Sequence, residues 1–233
     1  MLVTEPSAVP GSGGPAAVLW DMDGTLVDSE KLWDIVLAEG AQRLGGELTT
    51  QQRISLVGSN MASTSRRLLE FAGRDVTDDA ADEIARWMRG RTAELFSDAL
   101  PWRPGAREAL ESLRAAGVPC ALVTSTERGL TELALNTIGR EFFAVTVCGD
   151  EVDGRNKPEP EPYLRAARLL GLQPADCVAV EDSPVGAASA EAAGCTVVVV
   201  EADVPVAQGA GRIFRSSLVG VDAAEFGRIH ASR

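Results

Sequence analysis

Five short, almost uninterrupted apolar runs recur along the chain, at residues 17–20, 118–123, 143–147, 178–180 and 197–200. A strand that is apolar throughout must be covered on both faces, an arrangement that belongs to parallel sheets flanked by helices. Amphipathic segments with clear stops lie between the later runs. "GAREALESLRAAG" has Pro104 where a first helical turn accepts it and Gly117 after its last turn. "VGAASAEAAG" follows Ser183 and Pro184, which read as N-cap and first helical residue, and Gly194 closes it. Strands spaced by such helices predict a doubly wound α/β core with a Rossmann-like parallel sheet.

One stretch interrupts the alternation. Residues 30–99 contain no strand-like run and read as helices: "KLWDIVLAEGAQRL", "TQQRISLV", "ASTSRRLLEFA" and "DDAADEIARWMRGRTAELF". Gly45-Gly46, Gly58 and Gly73 separate them. So long a block is too large for a loop. It predicts a helical domain, residues 30–99, inserted into a core of residues 16–29 and 100–233. The connections fall near Asp28-Ser29 and residues 99–102. Residues 1–15, rich in Pro, Gly and Ser, read as a disordered tail.

Composition excludes several function classes. A net charge of −12 disfavours nucleic acid, whose phosphates need a basic surface. Apolar runs such as 197–200 are far too short to cross a bilayer, and no charged n-region opens the chain. The lone histidine, His230, lies beside the C-terminus, so histidine-based acid–base or nucleophilic engines are excluded. Cys120, Cys148, Cys177 and Cys195 follow no metal-binding spacing and read as small core residues of a cytoplasmic protein. Nothing demands a partner subunit, so a monomer is expected.

The chemistry concentrates at strand ends. In "VLWDMDGTLVDSE" an apolar run stops at Asp21 and Asp23. Ligands of parallel α/β sheets bind at the carboxyl ends of strands. There "PCALVTST" brings Thr124 and Ser125, and "CVAVEDS" brings Glu181 and Asp182. The loop "GDEVDGRNKPEPEP" brings Lys157. Four carboxylates crowded there repel unless a cation sits among them, and hard oxygens without His or Cys fit Mg²⁺. Mg²⁺, a lysine and hydroxyl donors point to phosphoryl transfer. One aspartate can attack phosphorus to give an acyl-phosphate, and the other can serve the leaving oxygen as acid and base. Gly24 permits a tight turn that brings main-chain N–H groups near the phosphate. In the helical block, Gly58, Ser59, Asn60 and Met61 are expected to face the site, a capping role remaining open for Ser59 and Asn60. Arg86, Arg89 and Arg91 read as a solvated helix face.

"DMDGT", Thr124, Lys157-Pro158 and "VEDSPVGAASAEAAG" resemble, in order, the four motifs of the haloacid dehalogenase superfamily, over residues 18–200. The helical insert resembles the cap of its β-phosphoglucomutase-like branch. The resemblance implies that Asp21 is the nucleophile and Asp23 the acid–base. It implies that Thr124 hydrogen-bonds the phosphoryl group and that Lys157 pairs with nucleophile and phosphate. Mg²⁺ would be bound by Asp182, Asp21 and the Asp23 carbonyl, with Glu181 beside it directly or through water. Gly24, Ser125, Gly58 and Asn60 are the further candidate substrate contacts, and the cap would choose the substrate.

Three positions depart from the pattern. Asn156 replaces the usual Gly before Lys-Pro. Trp33 stands where the mutases have a His, and Met61 where they have a phosphate-reading Arg. The resemblance therefore implies a Mg²⁺-dependent phosphatase of a small phosphorylated metabolite, a sugar phosphate or nucleotide-like monoester. A phosphomutase is the second reading. A non-catalytic binding relative is the third, disfavoured because Asp21, Asp23 and Lys157 are all retained.

Overall fold

The computed structural model describes residues 14–209 and 211–232. The expected disordered tail, residues 1–15, lies outside them except for Gly14 and Pro15, and Pro15 is buried. In chain order the core opens with β1 (Ala17–Trp20). Helices α1 (Glu30–Arg43), α2 (Thr50–Leu56), α3 (Met61–Phe71) and α4 (Asp78–Leu95) follow. The core resumes with α5 (Ala106–Ala115), β2 (Cys120–Val123), α6 (Arg128–Ile138), β3 (Val145–Val147) and α7 (Glu161–Leu170). It ends with β4 (Cys177–Glu181), α8 (Pro184–Ala193), β5 (Thr196–Val200), β6 (Arg212–Arg215) and α9 (Ala223–Ala231).

The strands form one parallel sheet in the order β3-β2-β1-β4-β5-β6. Central β1 shows why its sequence is apolar throughout. Val18 and Trp20 pack on one side with Leu110 of α5 and Phe226 of α9. Ala17 and Leu19 pack on the other with Tyr163 of α7 and Ala187 of α8. Each buried Val, Leu or Phe contributes about 1.5–3 kcal/mol by leaving water. The doubly wound α/β expectation is correct, with one strand more than the apolar runs indicated. That strand is β6, "RIFR", a half-buried edge whose arginines break any continuous apolar run.

Helix ends follow the sequence signals with one correction. The Ser183 side chain caps α8 by accepting from Gly186 N at 3.1 Å, and Gly194 ends it in the left-handed region. Pro104, however, is not in the first turn of α5. Gly105 intervenes as N-cap with φ +82°, and a Cβ there would lie 2.2 Å from the Leu218 carbonyl carbon.

Helices α1–α4 share an apolar cluster that includes Val36, Leu37, Leu68, Ile84 and Met88, into which Leu130 of α6 also reaches. The chain enters and leaves this block through segments that pair with each other. Val27 bridges antiparallel to Trp102, Asp28 N–H donates to Pro101 O at 2.8 Å, and Arg103 N–H donates to Leu26 O at 2.9 Å. Among the described residues no helix is long and apolar enough to cross a membrane. All four cysteines are buried free thiols, and burial pushes the Cys148 and Cys177 thiols up to about 11.

Candidate active site

The carboxyl ends of β1, β2 and β4 bring the predicted groups to one place. Asp21 directly follows β1, Glu181 ends β4, Asp182 follows it, and Thr124 follows β2. Lys157 enters from the loop before α7. Its buried Nζ donates to Asp21 Oδ1 at 2.6 Å, to Glu181 Oε1 at 2.6 Å and to Val123 O at 3.0 Å. Tyr163 OH donates to the same Glu181 oxygen, and Ser183 Oγ to the other at 3.3 Å.

This cluster is short of positive charge. Oxygens of Asp21, Glu181 and Asp182 all lie within 4.8 Å of one another, and all three residues are buried. Burial pushes the Asp21 carboxyl up to about 7; Lys157 offsets part of the rise and Glu181 adds to it. Burial, then the charges of Asp21 and Glu181, hold Asp182 well above the usual carboxylate range. Burial works against the charge of Lys157, yet Asp21 and Glu181 outweigh it and raise the ammonium above its ordinary value. The donor set is entirely oxygen, which suits a hard divalent cation. Two glycines cradle it. A Cβ on Gly24, at φ +80°, would lie 2.1 Å from Asp182 Oδ2, and one on Gly186 would lie 1.9 Å from Glu181 Oε2.

The Asp23 carboxylate does not join the cluster. Its Oδ1 accepts from Ser29 Oγ at 2.6 Å and Trp33 Nε1 at 3.0 Å. Its Oδ2 accepts from Thr126 Oγ1 at 2.7 Å and Thr124 Oγ1 at 3.4 Å. Two aspartates one residue apart thus have opposite surroundings: Asp21 lies against an ammonium, Asp23 in a ring of neutral donors.

A family model described as haloacid dehalogenase-like hydrolase matches residues 15–194. The chain belongs to the haloacid dehalogenase-like hydrolase family. It is 38% identical to hexitol phosphatase A of Escherichia coli (strain K12), over 79% of this chain and 82% of that protein. Two solved structures are also similar. CbbY from Rhodobacter sphaeroides in complex with phosphate aligns with TM-score 0.80 and 27% identity, covering 91% of this chain and 99% of the other. β-Phosphoglucomutase from Clostridium difficile aligns with TM-score 0.82 at 18% identity, covering 94% and 98%, a likeness of fold.

In this dehalogenase-like hydrolase a cleft runs from Asp21, Asp23, Thr124, Lys157 and Asp182 to the helical block. Ser125 lines it, and its buried Oγ has no hydrogen-bond partner within the protein. Gly58 lines it too, at φ +73°, where a Cβ would lie 2.5 Å from Val185 Cγ2 of α8. Trp33, Val57 and Met61 also line the cleft.

Several expectations are sharpened or corrected. Gly24 N–H donates to Val27 O at 2.8 Å within the expected tight turn, and the missing side chain leaves room for Asp182. Asn60 is not among the lining residues; its Oδ1 caps α3 by accepting from Ser63 N at 2.9 Å. Of the expected metal ligands, the carboxylates of Asp21, Glu181 and Asp182 converge, while the Asp23 side chain is held apart by Ser29, Trp33 and Thr126; the ligand expected of Asp23 is its main-chain carbonyl. Arg89 and Arg91 are not merely solvated: Arg89 pairs through two nitrogens with Glu127, and Arg91 with Glu39. Ser29, Thr126 and Tyr163 escaped sequence reasoning. A Thr two residues past a strand-end Thr was a usable signal for Thr126; nothing in the spacing tied the lone tyrosine to Glu181.

Proposed function

We propose that this hydrolase is a Mg²⁺-dependent phosphatase of small phosphorylated metabolites, a sugar phosphate or nucleotide-like monoester, working through an aspartyl-phosphate. The observation that carries the reading is the opposed setting of Asp21 and Asp23. An Asp21 oxygen attacks phosphorus while Lys157, at 2.6 Å, favours its ionised form. As the P–O bond to the leaving group breaks, Asp23 gives that oxygen a proton. Water then attacks the phosphorus of the acyl-phosphate, Asp23 takes a proton from it, and phosphate leaves Asp21. Thr124, Ser125 and Lys157 are the groups we assign to the phosphoryl oxygens. Asp21 and Asp182 would hold Mg²⁺, which when bound neutralises charge on the transferring group. Both oxygens of Glu181 already accept from Lys157, Tyr163 or Ser183, which favours contact through water.

We read residues 30–99 as a cap over a core of residues 16–29 and 100–233. A mutase cap must grip a second phosphate. Arg66 is instead paired with Asp78, and Arg67 donates to Ser55, which favours hydrolysis. The buried free thiols support a reducing, cytoplasmic setting, and we expect a monomer. The test is phosphate release from p-nitrophenyl phosphate and a panel of metabolite monoesters. Release that requires Mg²⁺ and Asp21 is expected. Faster conversion of β-glucose 1-phosphate to glucose 6-phosphate than release of phosphate would overturn the reading in favour of a mutase.

A further inference from the structure

We infer that the leaving group this cleft accepts is uncharged and hydroxyl-bearing, a polyol or glycosyl alcohol, and that the Asp34–Arg53 pair turns away substrates with a second anion. The inference rests on the phosphatase reading. Among the described lining residues the cations are Lys157 and Arg53. Lys157 is held by Asp21 and Glu181 at the phosphoryl end. Arg53 of α2, from the helical block, is the other, and it is already satisfied. Its Nε donates to Asp34 Oδ1 at 2.5 Å and its Nη2 to Asp34 Oδ2 at 2.7 Å. The same Nη2 reaches Asp203 Oδ2 at 3.2 Å.

A two-pronged guanidinium–carboxylate pair is the arrangement by which arginine would bind a substrate anion. Here Asp34 occupies that role. A substrate carboxylate or second phosphate would have to displace it and leave one more carboxylate facing the ligand. Glu30 lines the cleft as well and adds to the repulsion. The same acids suit an alcohol, since carboxylate oxygens accept from hydroxyls. Leu37, Val57 and Met61, which line the wall beside them, cover the C–H faces of a carbon skeleton. The cleft thus provides one place for an anion, at the phosphoryl end, and acceptors beyond it.

Matched esters test this. With Mg²⁺ present, kcat/KM is compared for glycerol 3-phosphate against 3-phosphoglycerate, and for fructose 6-phosphate against fructose 1,6-bisphosphate. In each pair the second member differs by one added anion. The neutral member should be preferred by roughly a hundredfold, as like charges set face to face cost several kcal/mol. Asp34→Asn frees Arg53 and should shrink that preference by about tenfold, whereas Arg53→Gln should widen it. p-Nitrophenyl phosphate turnover by each variant shows that it is folded and competent. Parity, or preference for the anionic esters, overturns the inference while leaving the phosphatase reading intact. So do active variants with unchanged ratios. Failure to hydrolyse any monoester would instead bring down the phosphatase reading, and this inference with it.

Discussion

Replacing Trp33 by Phe removes its hydrogen bond to Asp23 and trims a ring packed against both the core and the helical cluster, a packing loss that two esters would share. The indole N–H donates to Asp23 Oδ1 at 3.0 Å, while its ring meets Phe96 edge-on with centroids 6.0 Å apart, a contact a phenyl ring retains in kind. A hydrogen bond to a charged acceptor contributes about 1.5–3 kcal/mol. Asp23 keeps Ser29 and Thr126 at 2.6 and 2.7 Å and Thr124 at 3.4 Å, so the lower end applies. That corresponds to roughly a tenfold loss where Asp23 must be correctly aimed to deliver a proton. The assay compares kcat for two esters of different leaving-group acidity. p-Nitrophenolate departs without a proton; a simple alkoxide does not. Trp33→Phe should therefore slow the alkyl phosphate about tenfold and the aryl phosphate by less than about twofold. An equal fall for both would refute the argument and make Trp33 a packing residue.

Four further outcomes are expected. Asp21→Asn should abolish turnover while the far-UV circular dichroism is unchanged, because the amide keeps the shape and loses the nucleophile. Mg²⁺ should raise the melting temperature, by linkage equivalent to about 2.7 kcal/mol at a hundredfold excess over Kd, and Asp182→Ala should lose most of that shift. In EDTA the protein should resist urea better at pH 5 than at pH 8. The folded Asp21 carboxyl, at about 7 against an ordinary 3.8, retains a proton that the unfolded chain releases; its contribution is complete below about 4 and lost as pH rises through about 7. Gly186→Ala should lower stability by about 1–3 kcal/mol in chemical denaturation, since the new methyl would overlap Glu181 Oε2.

Much of this was legible because strand ends write themselves into the sequence. β1 and β4 are buried on both faces, so their apolar runs stop abruptly at Asp21 and at Glu181-Asp182, and the break itself marks the site. β6 gave no such mark, because an edge strand half open to water tolerates arginines. The partners of Asp23 were hidden for a different reason. Ser29, Trp33 and Thr126 come from the first connection, α1 and the segment after β2, and only tertiary packing brings them together. Asn60 was ambiguous in principle: a side chain that can meet a ligand can equally satisfy the first turn of the helix it precedes, and here it does the latter.

The paired segments at the base of the helical block bear on how the chain folds. β1 ends at Trp20 and its sheet neighbour β2 begins only at Cys120, so their pairing is a long-range contact whose loop-closure entropy opposes folding. Helices α1–α4 share their own cluster, joined by Leu130 of α6, and their mutual contacts span fewer residues than the β1–β2 pairing. Once that cluster has formed, residues 26–28 and 101–103 lie side by side, and the rest of the chain sees a short hairpin in place of a long excursion. Shortening an effective loop from about 70 residues to about 5 saves roughly 2 kcal/mol of closure entropy. If the paired segments clasp the sheet early, Val27→Pro or Trp102→Pro, which disturb that pairing, should slow refolding more than they accelerate unfolding in stopped-flow denaturant jumps.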